Sequence, residues 1–167
     1  MKSYAIRRDA EGLRVGIVVS RFNHLITVRM LEGCVGELVA RGASRDDLHV
    51  AWVPGAFEIP QAARTLAASG RYDAVVTLGV VIRGGTPHFD YVAGEAARGI
   101  QEVALQKLMP TMFGVLTVDS EEQALEMAND SQFGLGASIW TKERAKGERM
   151  ARRVGTGMVW INEHSYS

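Results

Sequence analysis

Residues 73–92 read Asp73-Ala74-Val75-Val76-Thr77-Leu78-Gly79-Val80-Val81-Ile82-Arg83-Gly84-Gly85-Thr86-Pro87-His88-Phe89-Asp90-Tyr91-Val92. The run over 73–80 is short, branched and, after Asp73, apolar except for Thr77, the pattern of a strand buried on both faces of a parallel sheet. A glycine-rich junction follows. Beyond it Phe89, Val92, Ala96, Ile100 and Val103 recur at helical spacing and predict a long helix with one apolar face.

The same order of strand, loop and helix repeats on either side. Residues 15–19 form an apolar run that ends at Ser20-Arg21-Phe22-Asn23. Asn23 is expected to cap a helix carrying Leu31, Val35, Leu38 and Val39, and Gly42 to stop it in a left-handed turn. Residues 48–53 predict the next strand, followed by Pro54-Gly55-Ala56-Phe57-Glu58 and a helix through Ala63, Leu66 and Ala67 to Gly70. A fourth strand is expected over 112–117, and Ser120 with Gln123 has the spacing of a capping box. Strands alternating with helices over such short connections must run parallel with right-handed crossovers. The expected fold is α/β, a three-layer α/β/α sandwich around a central parallel sheet.

Composition limits what such a fold does here. The chain has 167 residues, enough for one domain over 1–167 and too few for two ordinary ones. Its formal net charge is zero with basic residues dispersed, so neither nucleic acid nor an anionic membrane is an expected partner. Small polar molecules are. The start lacks the apolar run of a signal peptide and no stretch approaches a membrane span, so a cytoplasmic protein is expected. Cys34 is the one cysteine and lies on an apolar helix face, which predicts a core thiol and no cysteine-based metal site.

In parallel sheets ligands sit beyond the carboxyl ends of the strands, so the three loops there carry the chemistry. Gly84-Gly85-Thr86-Pro87-His88 aims backbone N–H groups at a helix start and suits a phosphate, although the same residues also make an ordinary tight turn with a cap. His88 could take and return a proton, or simply cap the helix; His24, His49 and His164 read as capping or surface residues. Phe22 beside Asn23 offers a flat apolar face next to an amide, or else a core aromatic at a strand end. Glu58 behind Gly55 and Ala56 sets a carboxylate beside backbone N–H groups, suited to the hydroxyls of a polyol, or only complements a helix dipole. Their meeting on one sheet edge favours the functional readings.

Ser20-Arg21-Phe22-Asn23, residues 53–60 (Val53-Pro54-Gly55-Ala56-Phe57-Glu58-Ile59-Pro60) and residues 81–92 resemble the motifs of lumazine synthases, in order and spacing. Phe113-Gly114-Val115-Leu116-Thr117 resembles that family's fourth core strand, so the resemblance covers about residues 1–119. It implies a flavodoxin-like sheet and the condensation of 5-amino-6-ribitylaminouracil with 3,4-dihydroxy-2-butanone 4-phosphate to 6,7-dimethyl-8-ribityllumazine in riboflavin biosynthesis, with no metal and no cofactor. It also implies that Phe22 stacks on the pyrimidine while Val81 and Ile82 line its pocket, with Phe57 among the substrate-binding residues. Asn23, Glu58 and the Gly55-Ala56 backbone would hold the ribityl chain, Gly85 and Thr86 the phosphate, and His88 would move protons. Phe113 would come from a neighbour in a homopentamer, or in a pentamer-based shell.

After Asp119 the pattern departs. Met127 stands where relatives carry a phosphate-binding arginine, and Leu135 near a later lysine. Ala128-Asn129-Asp130, residues 133–141 and residues 157–162 resemble a stretch of aldehyde dehydrogenase catalytic domains, which implies a chimeric chain with an atypical tail over 120–167. The tail is expected to run helix, strand, helix, strand, with Thr141 capping a helix to Val154 and a last strand over 158–161 in need of a sheet edge. It has no cysteine nucleophile and no dinucleotide-binding domain, so oxidoreductase chemistry is not expected. The alternatives to the enzyme are an impaired oligomeric scaffold and a flavin- or lumazine-binding module. Arg144, Arg149, Arg152 and Arg153 could replace the missing charge, or form a solvated helix face.

Overall fold

The computed structural model describes residues 9–107, 109–130, 137–139, 145, 148 and 159–161. β1 (Val15–Ser20) leads to α1 (His24–Ala40), β2 (Leu48–Val53) to α2 (Ile59–Ala68), β3 (Ala74–Ile82) to α3 (His88–Lys107), and β4 (Thr111–Val118) to α4 (Glu121–Asn129). The strands pair parallel in the order β2-β1-β3-β4. Helices α2 and α3 cover one face and α1 and α4 the other, which is the expected α/β/α sandwich.

The branched apolar runs explain this arrangement. All six residues of β1 are buried, because the strand has a neighbour on each edge and helices over both faces. Val15, Ile17 and Val19 point to one side, against Leu31, Val35 and Leu38 of α1. Val18 points to the other, into a cluster with Ile59, Ala63, Ala96, Ile100 and Val103, as the two-residue period of a strand requires. Fully buried side chains such as Ile17, Ile59 and Ile100 each contribute roughly 1.5–3 kcal/mol. The edge strands are less covered, and Val50, Met112 and Phe113 are exposed.

Helix α1 ends as expected. Gly42 has φ +96°, Ala43 N–H donates to Leu38 O at 3.0 Å and Gly42 N–H to Val39 O at 2.9 Å, a paired closure that needs the left-handed residue. Two capping expectations are corrected. Asn23 makes no side-chain cap bond to α1. The box at α4 is half formed: Ser120 Oγ accepts from Gln123 N–H at 3.1 Å, but Gln123 Oε1 accepts from Asp119 N–H and not from Ser120.

Beyond Asp119, α4 buries Ala124, Leu125 and Ala128 and packs beside α1. β5 (Ala137–Ile139) and β6 (Val159–Ile161) pair parallel in a two-stranded sheet of their own, so the last strand found β5 and not an edge of the main sheet. Of the helix expected over 141–154, Ala145 and Glu148 are helical and the remainder lies outside the described residues, as do Leu135, Arg144, Arg149, Arg152, Arg153 and His164. No helix among the described residues is long and apolar enough to cross a membrane.

Candidate active site

The chain leaves β1 for β2 on one side and then crosses to β3 on the other. The connections that follow β1 and β3 therefore diverge, and such a reversal opens a crevice at the strand ends. A cleft of about 800 Å³ lies beside these ends. Phe22 reaches it from the first loop, Gly55, Ala56, Phe57 and Glu58 from the second, and Val81, Ile82, Thr86 and His88 from the third. The cleft does not include Asn23, Gly85 or Phe113 in its wall.

The first loop is held by its backbone. Arg21 N–H donates to Val53 O at 2.7 Å and Phe22 N–H to Pro54 O at 2.9 Å, which docks it on the second loop; Thr27 Oγ1 donates to Ser20 O at 2.8 Å. The Phe22 ring is 69% exposed, so it is not a core aromatic that happens to end a strand. Asn23 adopts the left-handed conformation at φ 57° and ψ 43°, and its Nδ2 donates to Val80 O at 3.1 Å. That geometry turns the amide toward β3 and explains why it does not cap α1.

In the second loop, Glu58 Oε2 accepts from Gly55 N–H at 2.9 Å. The N–H expected to face a ligand is thus taken by the neighbouring carboxylate, which closes a turn over Ala56–Glu58 before α2 begins. The third loop is open: a side chain added at Gly84 or Gly85 would meet nothing within 4 Å, and residues 83–88 are exposed. His88 is the first residue of α3, where the helix dipole and the N–H groups of a first turn favour an anion, although Asp90 N–H already donates to Pro87 O at 3.0 Å. Phe113 lies on edge strand β4, paired with Thr77 and half exposed.

The sequence pattern places Val80, Phe89 and Val92 in the strand or the helix core, gives Gly84 a part only in the phosphate loop and gives Pro54 and Tyr91 no role of their own, yet all six line the cleft. Tyr91 and Val92 follow His88 by three and four residues, the spacing that puts them on one helix face with it; that was the signal available. An apolar wall with a few polar groups, here Glu58, Thr86, His88 and the Tyr91 hydroxyl, is the usual make-up of a small-molecule site.

The sequence matches the profile of 6,7-dimethyl-8-ribityllumazine synthase over residues 12–155. The chain belongs to this family. The match continues through α4 and well past Asp119, so the family likeness does not stop where the quoted motifs do, and a chimeric chain is not supported. Among solved structures, an apo indole-3-acetaldehyde dehydrogenase is 18% identical with a TM-score of 0.29, over 95% of this chain and 39% of that one. An NAD+ complex of a Mycobacterium tuberculosis aldehyde dehydrogenase is 15% identical with a TM-score of 0.30, over 93% and 40%. The chain spans about two fifths of either protein, and likenesses this loose carry no argument.

The remaining candidates stand apart from the cleft. Met127 borders a smaller cavity of about 410 Å³ with Arg29, Met30 and Cys34. Burial pushes the Cys34 thiol up to about 11. The His24 ring packs on Trp52 with centroids 5.3 Å apart, and His49 Nδ1 lies 3.2 Å from the Tyr72 hydroxyl. Among the described residues no group of three or more His, Cys, Asp or Glu side chains is placed to hold a metal ion.

Proposed function

We propose that this member of the family is an active lumazine synthase, joining 5-amino-6-ribitylaminouracil to 3,4-dihydroxy-2-butanone 4-phosphate with release of phosphate and water. What carries the reading is the convergence of Phe22, Glu58, Thr86 and His88, from three separate loops, on one cleft. Phe22 stacks on the pyrimidine beside Val81, Ile82 and Phe57. Glu58, the Ala56 backbone and the Asn23 amide oxygen hold the ribityl hydroxyls, with the Gly55 N–H spent on orienting Glu58, while Gly85, Thr86 and the start of α3 bind phosphate.

The amine of the uracil attacks the ketone, water leaves to give an imine, phosphate is eliminated, and the second nitrogen attacks the remaining carbonyl and closes the ring with loss of a second water. Holding the two substrates together supplies much of the rate. His88, beside the phosphate cradle, moves protons in these steps, a role that contributes roughly 10²–10⁴-fold. No bond to the protein is required. Phe113 and Met112, exposed on edge strand β4, support a homopentamer in which Phe113 completes a neighbour's cleft. The place of action would be the cytoplasm.

The test is lumazine formation, followed by absorbance with both substrates on material sized by light scattering. Turnover lost in His88→Ala supports the enzyme. A second reading, a scaffold or a flavin- or lumazine-binding module, draws on the uncharged Met127 in place of the family's arginine. An intact oligomer that binds the lumazine product without turning over would establish that reading and reject the first.

A further inference from the structure

Arg83 follows directly on β3, ahead of the open loop, and its side chain reaches the far end of that loop and the exit of β4. Its N–H donates to Val118 O at 2.9 Å. Its Nε donates to Asp119 Oδ1 at 3.0 Å, and one terminal nitrogen lies 3.5 Å from Asp90 Oδ1. The guanidinium sits 4.1 Å above the centre of the Phe89 ring, which itself lines the cleft. Asp90 belongs to the first turn of α3 and Asp119 to the exit of β4. One planar fork therefore closes residues 84–89 on themselves and moors them to the neighbouring strand.

The loop between has little else to hold it, since a side chain added at Gly84 or Gly85 would meet only open space. Glycines there leave the backbone many conformations, and a cradle of N–H groups binds an anion well only when those groups are pre-aimed. We propose that Arg83 is a positioning residue, which sets the course of the phosphate cradle and the stance of His88 through Asp90, Asp119 and Phe89. It is not assigned as a phosphate ligand itself, because two of its five donors already face carboxylates and its side chain is not part of the cleft wall. This role rests on the enzyme reading above.

Steady-state kinetics on the whole protein test it, with wild type, Arg83→Ala, Arg83→Lys and Asp119→Asn. Arg83→Ala is expected to raise the KM for the butanone phosphate about tenfold, equivalent to about 1.4 kcal/mol, and to leave the KM for the aminouracil within about twofold. Lysine keeps the charge but cannot grip two carboxylates and stack at once, so Arg83→Lys recovers only part of the loss. Asp119→Asn loosens the clasp and raises the same KM. If Arg83 were instead a direct ligand, freeing it from Asp119 would lower that KM, and this result would overturn the proposal. Unchanged KM values in Arg83→Ala, an equal loss for both substrates accompanied by a lower melting temperature, or full recovery in Arg83→Lys would do so as well. Wild type measured alongside separates the failures: no turnover from it rejects the enzyme reading and the clasp with it, whereas normal kinetics in the variants reject the clasp alone.

Discussion

Gly99→Ala should loosen the seam that aligns the two halves of the cleft. A Cβ built at Gly99, on α3, falls 2.7 Å from Pro60 Cβ and 2.8 Å from Pro60 Cγ, at the start of α2. Ordinary carbon contacts lie at about 3.5–4.0 Å, so the fit is short by about 0.8 Å or more. The atoms in the way belong to a pyrrolidine ring, which cannot rotate aside, so the helices must part. Overpacking of this kind costs typically 1–3 kcal/mol, and the rigid ring places it in the upper half. Alanine returns about 1 kcal/mol of helix propensity. The net loss is about 1–2 kcal/mol, or a melting temperature lower by roughly 2–8 °C for a chain of this size. Since α2 begins beside Glu58 and α3 begins at His88, the lumazine product should also bind more weakly. Circular dichroism melts and fluorescence titration read the two effects. A variant that melts at or above wild type would show that the seam has room and that the reasoning is wrong.

Other outcomes follow from single contacts. Arg14 holds the Asp73 carboxyl at about 2, chiefly through side-chain hydrogen bonds. A depressed carboxylate stabilises above its unfolded value, about 3.9, and loses that effect as pH falls toward 2. The melting gap between wild type and Asp73→Asn should therefore be constant above pH 5 and shrink from pH 4 to pH 2; an equal gap at pH 2 and pH 6 would contradict this. Asn23→Ala should destabilise more than Asn23→Gly, because both lose the bond to Val80 O but only alanine adds a left-handed backbone penalty of about 1–2 kcal/mol; equal urea midpoints would argue against it. Cys34, raised to about 11 by burial, should alkylate far more slowly at pH 8 than a free thiol and speed up as pH rises, as mass spectrometry of the quenched protein would report.

Where the sequence was legible, the signal was local. The branched run at 15–19 could only be a central strand, and all of β1 is buried. Residues 48–53 were read to their ends because turn residues bound them. β3 outran its expected limit at Val80 because Val81 and Ile82 pair with Thr117 and Val118, a partnership that no local pattern encodes. Asn23 has the right chemistry for a cap, and only the distant Val80 carbonyl decides otherwise. Tyr91 was missed as a lining residue because an exposed tyrosine adds nothing to a helix's apolar period. The collision waiting at Gly99 is likewise a fact about two helices and not about either. In the tail, short motifs pointed away from the family, while the buried Ala124, Leu125 and Ala128 of α4 keep the sandwich's own pattern.

Glu58 has one further consequence. Its Oε2 accepts from Gly55 N–H inside the loop, which leaves Oε1 as the oxygen to offer a ligand in the cleft that Glu58 lines. In Glu58→Gln the amide oxygen can keep the Gly55 bond while its nitrogen takes the outward place, reversing the polarity of a single atom without rebuilding the turn. A polyol can answer that reversal, since each hydroxyl either gives or receives a proton. A ligand that met Glu58 through N–H alone could not, and the two kinds of guest would part company at one side chain.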